Sequence, residues 1–494
     1  MRAVIGPVLV HGALVLAGLG VLRALGVIET VWSRRALAAV GLAYLVGIAA
    51  ALTVCVIVLV AGGPFTLAVF GIVAAVLAAP LALDLHRPRL GALRRLGALR
   101  RLDALRRRGV LGGDAARWAV LATLAAFAVL AVVGLLTLGN RPIGPGDTDA
   151  WHVWGLKALL LFAHPHLPAA IFGFSGDVRF EPHYTFNPAY PLLLPLLEAL
   201  HLRALGRPDP SSFHLVMWLL AIAFVWAGGF IAARVTSALV WAPVLTGAVL
   251  LSLSRLLTAY ADVPLGFYLA LGTLQLGVWL QSGRRRDLAL AALLLAGAAA
   301  VKNEGTAGAL LVLAVALAAM VFARRRRAAL ELALASALLG VVAILPWRLW
   351  VAAHHLQTEV PLGRVANPGF LARNVDRVGP VVHGLDQQLG MTNGVTIFVS
   401  LALAMVAACA WERRGRTLGA FYLVVLAGYY ATLVWSWWID TLPLSFMGPA
   451  TAGRLDLGLG FIAVAAVLHL SGAHGRLGAP GLSPPGAGAE RRSA

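Results

Sequence analysis

Two carboxylates, two tryptophans and a lysine fall within eleven residues of GPGDTDAWHVWGLKALLLF, the stretch from 144 to 162: Asp147, Asp149, Trp151, Trp154 and Lys157. An ionised carboxylate can take a proton from an attacking hydroxyl. Indole faces suit stacking on sugar rings and settle naturally at a membrane interface. The same residues have a plain structural use, because Asp149 is placed to cap a helix that begins at Ala150. TAYADVPLGF (258–267) sets Asp262 two residues before Pro264, which again suits either a reacting carboxylate or a helix start. VKNEG (301–305) interrupts a long apolar run with Lys302 and Glu304. A tight turn calls for polar residues and a glycine, but not for a lysine and a glutamate together. There Lys302 could neutralise a phosphate and Glu304 could orient it. Arg348, His354, His355, Arg364 and Arg454 add cations. Arginine forks match phosphate oxygens, and each of these side chains taken alone also fits a span end reaching back to the interface. WSWWID (435–440) reads as part of an aromatic belt.

These groups interrupt a chain of 494 residues that is 60% hydrophobic and only 12% charged. A soluble domain carries about twice that charge. Apolar runs of 18 or more residues recur along the length, and they do not alternate. The expected fold is therefore an all-α polytopic transmembrane bundle, and a β-barrel is excluded. The formal charge of +19 would point to nucleic acid in a soluble protein. Here the arginines cluster between apolar runs, as the positive-inside rule expects, so the partner is anionic membrane lipid and no nucleic acid. Lys157 and Lys302 are the only lysines among forty basic residues. Cys55 and Cys409 both lie in apolar runs and offer neither a disulfide framework nor a zinc pattern. The apolar run after Arg2 extends to Leu22 with no clear small-residue cleavage site, which reads as an uncleaved span.

Arginine clusters set the expected topology. Residues 87–108 hold nine arginines and one acid, Asp103, in a short near-repeat suited to a cytoplasmic amphipathic helix or a solvated cytoplasmic face. Spans at 4–22, 36–60 and 65–84 precede it, and 117–138 then leads out to a loop at 139–190 whose charges nearly balance. Arg284 to Arg286, Arg324 to Arg327, and Arg413, Arg414 and Arg416 should again be cytoplasmic. Counting back from them gives spans at 212–233, 240–258 and 263–281. The apolar piece 191–206, which holds Glu198, His201 and Arg203, must then have both ends outside, as a juxtamembrane or re-entrant helix. Spans at 287–301, 305–323, 329–350, 392–411, 417–437 and 453–472 complete about thirteen. The tail from 473 to 494, rich in Gly, Pro and Ala, is expected to be disordered and cytoplasmic.

The segments DAWHVWGLKA, NPAYPLLLPLLEAL, YADVPLGF, KNEG and AGRLDLGL together resemble the multi-pass bacterial glycosyltransferases of the GT-C class, similar to the protein O-mannosyltransferases and the lipid A aminoarabinose transferase. The resemblance covers roughly residues 120–470. It implies a polyprenyl-phosphate-linked sugar donor, a lipid, glycan or protein acceptor outside the cytoplasm, and juxtamembrane helices in the first large outer loop. By motif position it implies an essential acid at Asp149 with Asp147 as neighbour, further acids at Asp262 and Glu304, and cations at Lys302 and Arg454. Lys157, Arg348, Trp151 and Trp154 complete the expected donor site, with no metal and no other cofactor. Domain organisation follows: residues 1–116 hold extra N-terminal spans and the basic stretch, and 117–472 form the catalytic transmembrane domain of a plasma-membrane enzyme. A transporter or lipid flippase is the competing reading, and a non-catalytic assembly subunit is a third. A transporter would place ionisable groups at mid-membrane in repeated, broken helices, whereas no internal repeat is evident and the polar groups here cluster towards one side.

Overall fold

A bilayer core of about 30 Å needs roughly 20 helical residues to cross it, and apolar side chains on every face of a helix require burial in protein or lipid. The segment Val40–Val60 meets both conditions with 21 residues and no charge. In the computed structural model the described residues are 2–85, 121, 123–125, 127–129, 132, 133, 136, 143, 149–167, 187–356, 362–365, 367–391, 393–411, 415–440 and 453–475. Asp147, the basic stretch 87–108, most of the 139–190 loop and the tail beyond 475 lie outside them. The Arg454 backbone is helical, while its side chain lies outside the description.

The described residues form helices and no strand. The principal helices are α1 (Arg2–Ala24), α2 (Val40–Val60), α3 (Leu67–Ala78), α4 (Leu156–Ala163), α5 (Leu193–Leu205), α6 (Phe213–Ala232), α7 (Ala238–Leu251) and α8 (Asp262–Ser282). They continue as α9 (Arg285–Val301), α10 (Asn303–Phe322), α11 (Arg326–Leu339), α12 (Leu345–Ala353), α13 (Val378–Met391), α14 (Asn393–Trp411), α15 (Arg416–Trp438) and α16 (Gly453–Gly475). Among the described residues nine helical stretches are long and apolar enough to cross a membrane, which fits a multi-pass membrane protein. They coincide with nine of the thirteen expected spans. Of the other four, 117–138 is described only at scattered positions. Residues 240–258 break at Ser252, whose hydroxyl donates back to Val249 O at 3.0 Å. Residues 287–301 belong to a 17-residue helix, and the last apolar stretch is Asp456–Gly472.

The bundle is organised around α8, 94% of whose apolar window is buried against α9, α16, α6 and α10. Phe224, Phe267 and Phe461 lock α6, α8 and α16 together, with ring centroids 4.3 to 5.6 Å apart. The N-terminal helices belong to the same packing. α1 crosses α2 so closely that a Cβ on Gly18 would stand 1.7 Å from Ala43 O, a small-residue approach typical of membrane helices. α2 in turn packs on α6, α9 and α5.

Charge sorts to the two ends of α8. At the Ser282 end, Arg234 forks onto Asp287 at 2.8 and 2.9 Å, Arg23 pairs with Asp84 at 3.2 Å, and Arg286 donates to Gly26 O at 3.1 Å. At the Asp262 end lie both lysines. Helix α5 belongs to this second end at both of its termini. Tyr190, just before it, faces Lys302, while Arg203 near its end donates to Leu161 O at 2.7 Å. From Leu193 to Leu202 it is buried, between α4, α1 and α2.

Candidate functional site

The corner between α9 and α10 consists of one residue. Lys302 is extended (φ −154°, ψ 158°) between two helices, and Thr306 Oγ1 donates to Ala299 O at 3.2 Å across the corner. A Cβ at position 305 would stand 2.0 Å from Ala298 O, so KNEG needs its glycine. The corner directs the Lys302 ammonium to Asp262 Oδ1 at 2.8 Å and to Glu304 Oε1 at 3.0 Å. Lys302 and Asp262 are both buried, and Glu304 is half-buried with its second oxygen unbonded. Asp262 lies within the first turn of α8, so its carboxylate serves the lysine rather than a helix cap. Arg348, from α12, donates to Asn303 Oδ1 at 2.6 Å and stands over the same corner.

Tyr190 joins this corner to the tryptophan–lysine segment. Its ring stacks on Trp154 with centroids 5.3 Å apart and planes 3° from parallel. The ammonium groups of Lys157 and Lys302 each lie 5.8 Å from the Tyr190 centroid, and Lys157 lies as close to Trp154. Two buried cations thus lie against one electron-rich ring. Lys157 also donates to Asn187 O at 2.7 Å, and Trp347 Nε1 donates to Ala189 O at 2.9 Å, which fixes the NPAY backbone from two sides. Among the described residues no carboxylate pairs with Lys157. Burial alone therefore pulls its amine from 10.5 down to about 7. Residues Ala150–Gly155, which carry both tryptophans, form a π-helical turn, a widened geometry that recurs at functional sites.

Of the expected residues, the structure brings together Trp154, Lys157, Asp262, Lys302, Glu304 and Arg348. Asp149 stands half-buried at the head of the π-helical turn, in helical conformation and without a capping hydrogen bond, and Trp151 is half-buried in that turn. His354 stacks on Trp350 at 4.3 Å, and Arg364 lies 5.7 Å over Phe370, so both sit in local contacts. Asp147 and the Arg454 side chain are outside the described residues.

Several participants are not evident from residue type alone. Tyr190 and Asn187 lie in NPAYPLLLPLLEAL, where the sequence offers no charge to mark them. Asp456 is completely buried on α16 with neither carboxylate oxygen bonded. Tyr429 of α15 stands between it and the corner: its ring meets Gly308 on α10, and its hydroxyl meets Gly458 on α16. Nearby, Tyr430 donates to Asp386 on α13 at 2.7 Å. Glu198, on α5, is also fully buried with both oxygens unbonded, and burial pushes its carboxyl well above the usual range, towards the protonated form. One turn further, His201 shares a hydrogen bond of 3.0 Å with His11, which bonds Tyr44 at 2.8 Å and ties α5 to α1 and α2.

No family model matches the chain, and no solved structure matches it. A stretch of 81 residues is 40% identical to the glycerol dehydrogenase small subunit of Gluconobacter thailandicus. That stretch is 15% of this chain and 60% of the other, so the chain spans less than two thirds of that protein's length.

Proposed function

We propose that this chain is an integral membrane glycosyltransferase of the GT-C class that moves a sugar from a polyprenyl-phosphate donor to an acceptor outside the cytoplasm. The observation that carries this reading is the cluster around Tyr190, where two buried lysines and an arginine meet two carboxylates drawn from segments far apart in the sequence. Buried ionisable groups in a membrane bundle are costly, and they persist where they act. A lipid-linked sugar phosphate calls for this mixture: cations for the phosphate, an aromatic face for the sugar and a carboxylate for the acceptor. In this reading about thirteen spans place the lysine end outside, with the arginine end in the cytoplasm.

The acceptor oxygen attacks the anomeric carbon, and the bond from that carbon to the phosphate oxygen breaks with inversion. Polyprenyl phosphate leaves with the bonding electrons, and the acceptor proton passes to Asp149. Lys157, free of any carboxylate among the described residues, takes the donor phosphate. Lys302 and Arg348 add positive potential where charge develops on the leaving group. Asp262 and Glu304 hold the Lys302 ammonium in place. Asp147, Trp151, Trp154 and Arg454 complete the site as the motif order implies. The extended lipid enters laterally between helices.

The test uses purified protein in proteoliposomes with a radiolabelled polyprenyl-phosphate sugar and a membrane extract as acceptor source. Asp149→Asn and Lys302→Ala, chosen among preparations that insert and melt as cooperatively as the wild type, are expected to lose transfer by at least a hundredfold, the size of effect that loss of a general base or of an electrostatic stabiliser produces, about 10² or more. Full activity in both variants overturns the assignment.

A further inference from the structure

At the far end of α8 from the lysines, two short connections face one another: 283–284, between α8 and α9, and 323–325, between α10 and α11. Between them lies a cavity of about 420 Å³ lined by Arg285, Arg325, Arg326, Arg327 and Glu331. That volume falls within the range of about 300–1,000 Å³ usual for small-molecule sites. Glu331 already accepts from Arg285 at 2.9 Å and from Arg327 at 3.3 Å. Among the described residues the Arg325 and Arg326 side chains make no ion pair and no hydrogen bond. Four guanidinium groups therefore line the cavity with a single carboxylate that engages two of them, and the other two keep their full donor sets open. The turn that presents them is strained, because Arg324 adopts φ 56°, a conformation side chains seldom take.

What lies beside the cavity decides the kind of anion. Phe322, the last residue of α10, is 86% exposed. On α11, Leu330, Leu334 and Leu338 are each more than 60% exposed and recur every four residues. They form an apolar stripe that starts at the arginines and runs along the helix away from them. A free phosphate has no use for that stripe, whereas an acyl chain does. Arginine forks match phosphate oxygens in pairs, and a polybasic site at a membrane surface draws anionic lipid at about 1 kcal/mol per basic residue.

We propose that this cavity binds the headgroup of an anionic phospholipid, with the phosphates on Arg325 and Arg326 and an acyl chain along Leu330, Leu334 and Leu338. The excess of open guanidinium groups favours a headgroup with two phosphates over one. This site is independent of the glycosyltransferase reading and lies at the other end of the bundle from it.

The experiment is native mass spectrometry of the full-length protein in detergent, titrated with cardiolipin, phosphatidylglycerol, phosphatidylcholine and, as a soluble arm, inorganic pyrophosphate. The wild type is expected to bind cardiolipin at least tenfold more tightly than phosphatidylcholine, with phosphatidylglycerol between them and pyrophosphate unable to displace the lipid. Arg325→Ala/Arg326→Ala should weaken cardiolipin binding at least fivefold. Both side chains are exposed, so folding should be kept, and an unchanged melting temperature in the absence of lipid verifies this. Arg207→Ala, which removes an exposed arginine paired with Asp209 before α6, should bind as the wild type does. Equal cardiolipin affinity in the double variant overturns the proposal, as does equal binding of phosphatidylcholine, or full displacement by pyrophosphate.

Discussion

The two lysines differ in what balances them. Lys302 is held by two carboxylates within 3.0 Å, whereas Lys157 has a carbonyl and two aromatic faces. The Lys157 amine is lowered to about 7 in the fold, against 10.5 in an unfolded chain. Its charge is thus present below about pH 7 and lost above it. From pH 7 to 10.5 the unfolded chain binds a proton that the folded chain has released, so the cost of burying the Lys157 charge, full below pH 7, is relieved as pH rises through that window and the empty protein gains stability. Donor binding runs the other way, because it needs the charge. A sugar phosphodiester stays ionised across this range, so the lysine alone sets the slope. Binding of a polyprenyl-phosphate sugar, followed by fluorescence titration, is expected to weaken about tenfold between pH 6 and 8.5, the worth of one charge-assisted hydrogen bond. Lys157→Gln should bind weakly and without that slope. A variant that retains the wild-type slope would remove Lys157 from the donor site.

Helices bring the site together through close crossings that charge patterns do not reveal. α1 and α2 meet at Gly18 and Ala43, and α5 lies against both while carrying Tyr190 at its head. A side chain at Gly18 would collide with backbone, which cannot yield as a flexible side-chain tip can. Gly18→Leu is therefore expected to destabilise the bundle by about 3 kcal/mol or more, and to loosen α5 and donor binding with it. Gly12 lies six residues away on the same helix, where a Cβ would meet nothing within 4 Å. Gly12→Leu should melt within a few degrees of the wild type in a detergent thermal-shift assay. Equal melting of the two variants would mean that the α1–α2 crossing does not support the site.

Across the whole molecule the two ends of α8 differ in chemistry. One carries lysines, carboxylates and aromatic rings, the other arginines with fewer acids. Positive-inside reasoning sets the arginine end in the cytoplasm. Ala61 is exposed near the lysine end, where Phe65 N donates to Pro165 O at 2.5 Å, and Arg284 is exposed at the arginine end. In intact cells a membrane-impermeant maleimide is expected to label Ala61→Cys. Arg284→Cys should react only after permeabilisation. The reverse pattern would invert the topology and end the case for an extracytoplasmic acceptor.

Apolar runs, arginine clusters and the Lys157, Asp262 and Lys302 motifs are properties of short stretches, so the sequence alone determined a helical membrane bundle with polar groups gathered towards one side. The same short range left a reacting carboxylate and a helix cap both open for Asp149 and Asp262, because the two uses draw on the same residue type. Only the tertiary structure shows what Asp262 meets. Asp262 finds Lys302 forty residues away, since α8 and α9 form an antiparallel pair that returns to the same end. Tyr190 bears no charge to mark it, yet the placement of α5 sets it between both lysines. Asp456 comes to the same end because α16 packs along α8, and Tyr429 of α15 touches both α10 and α16 there. Local composition dictates what each helix must bury. Which buried groups meet depends on how the helices cross, and that is set by side-chain volumes summed over many distant residues.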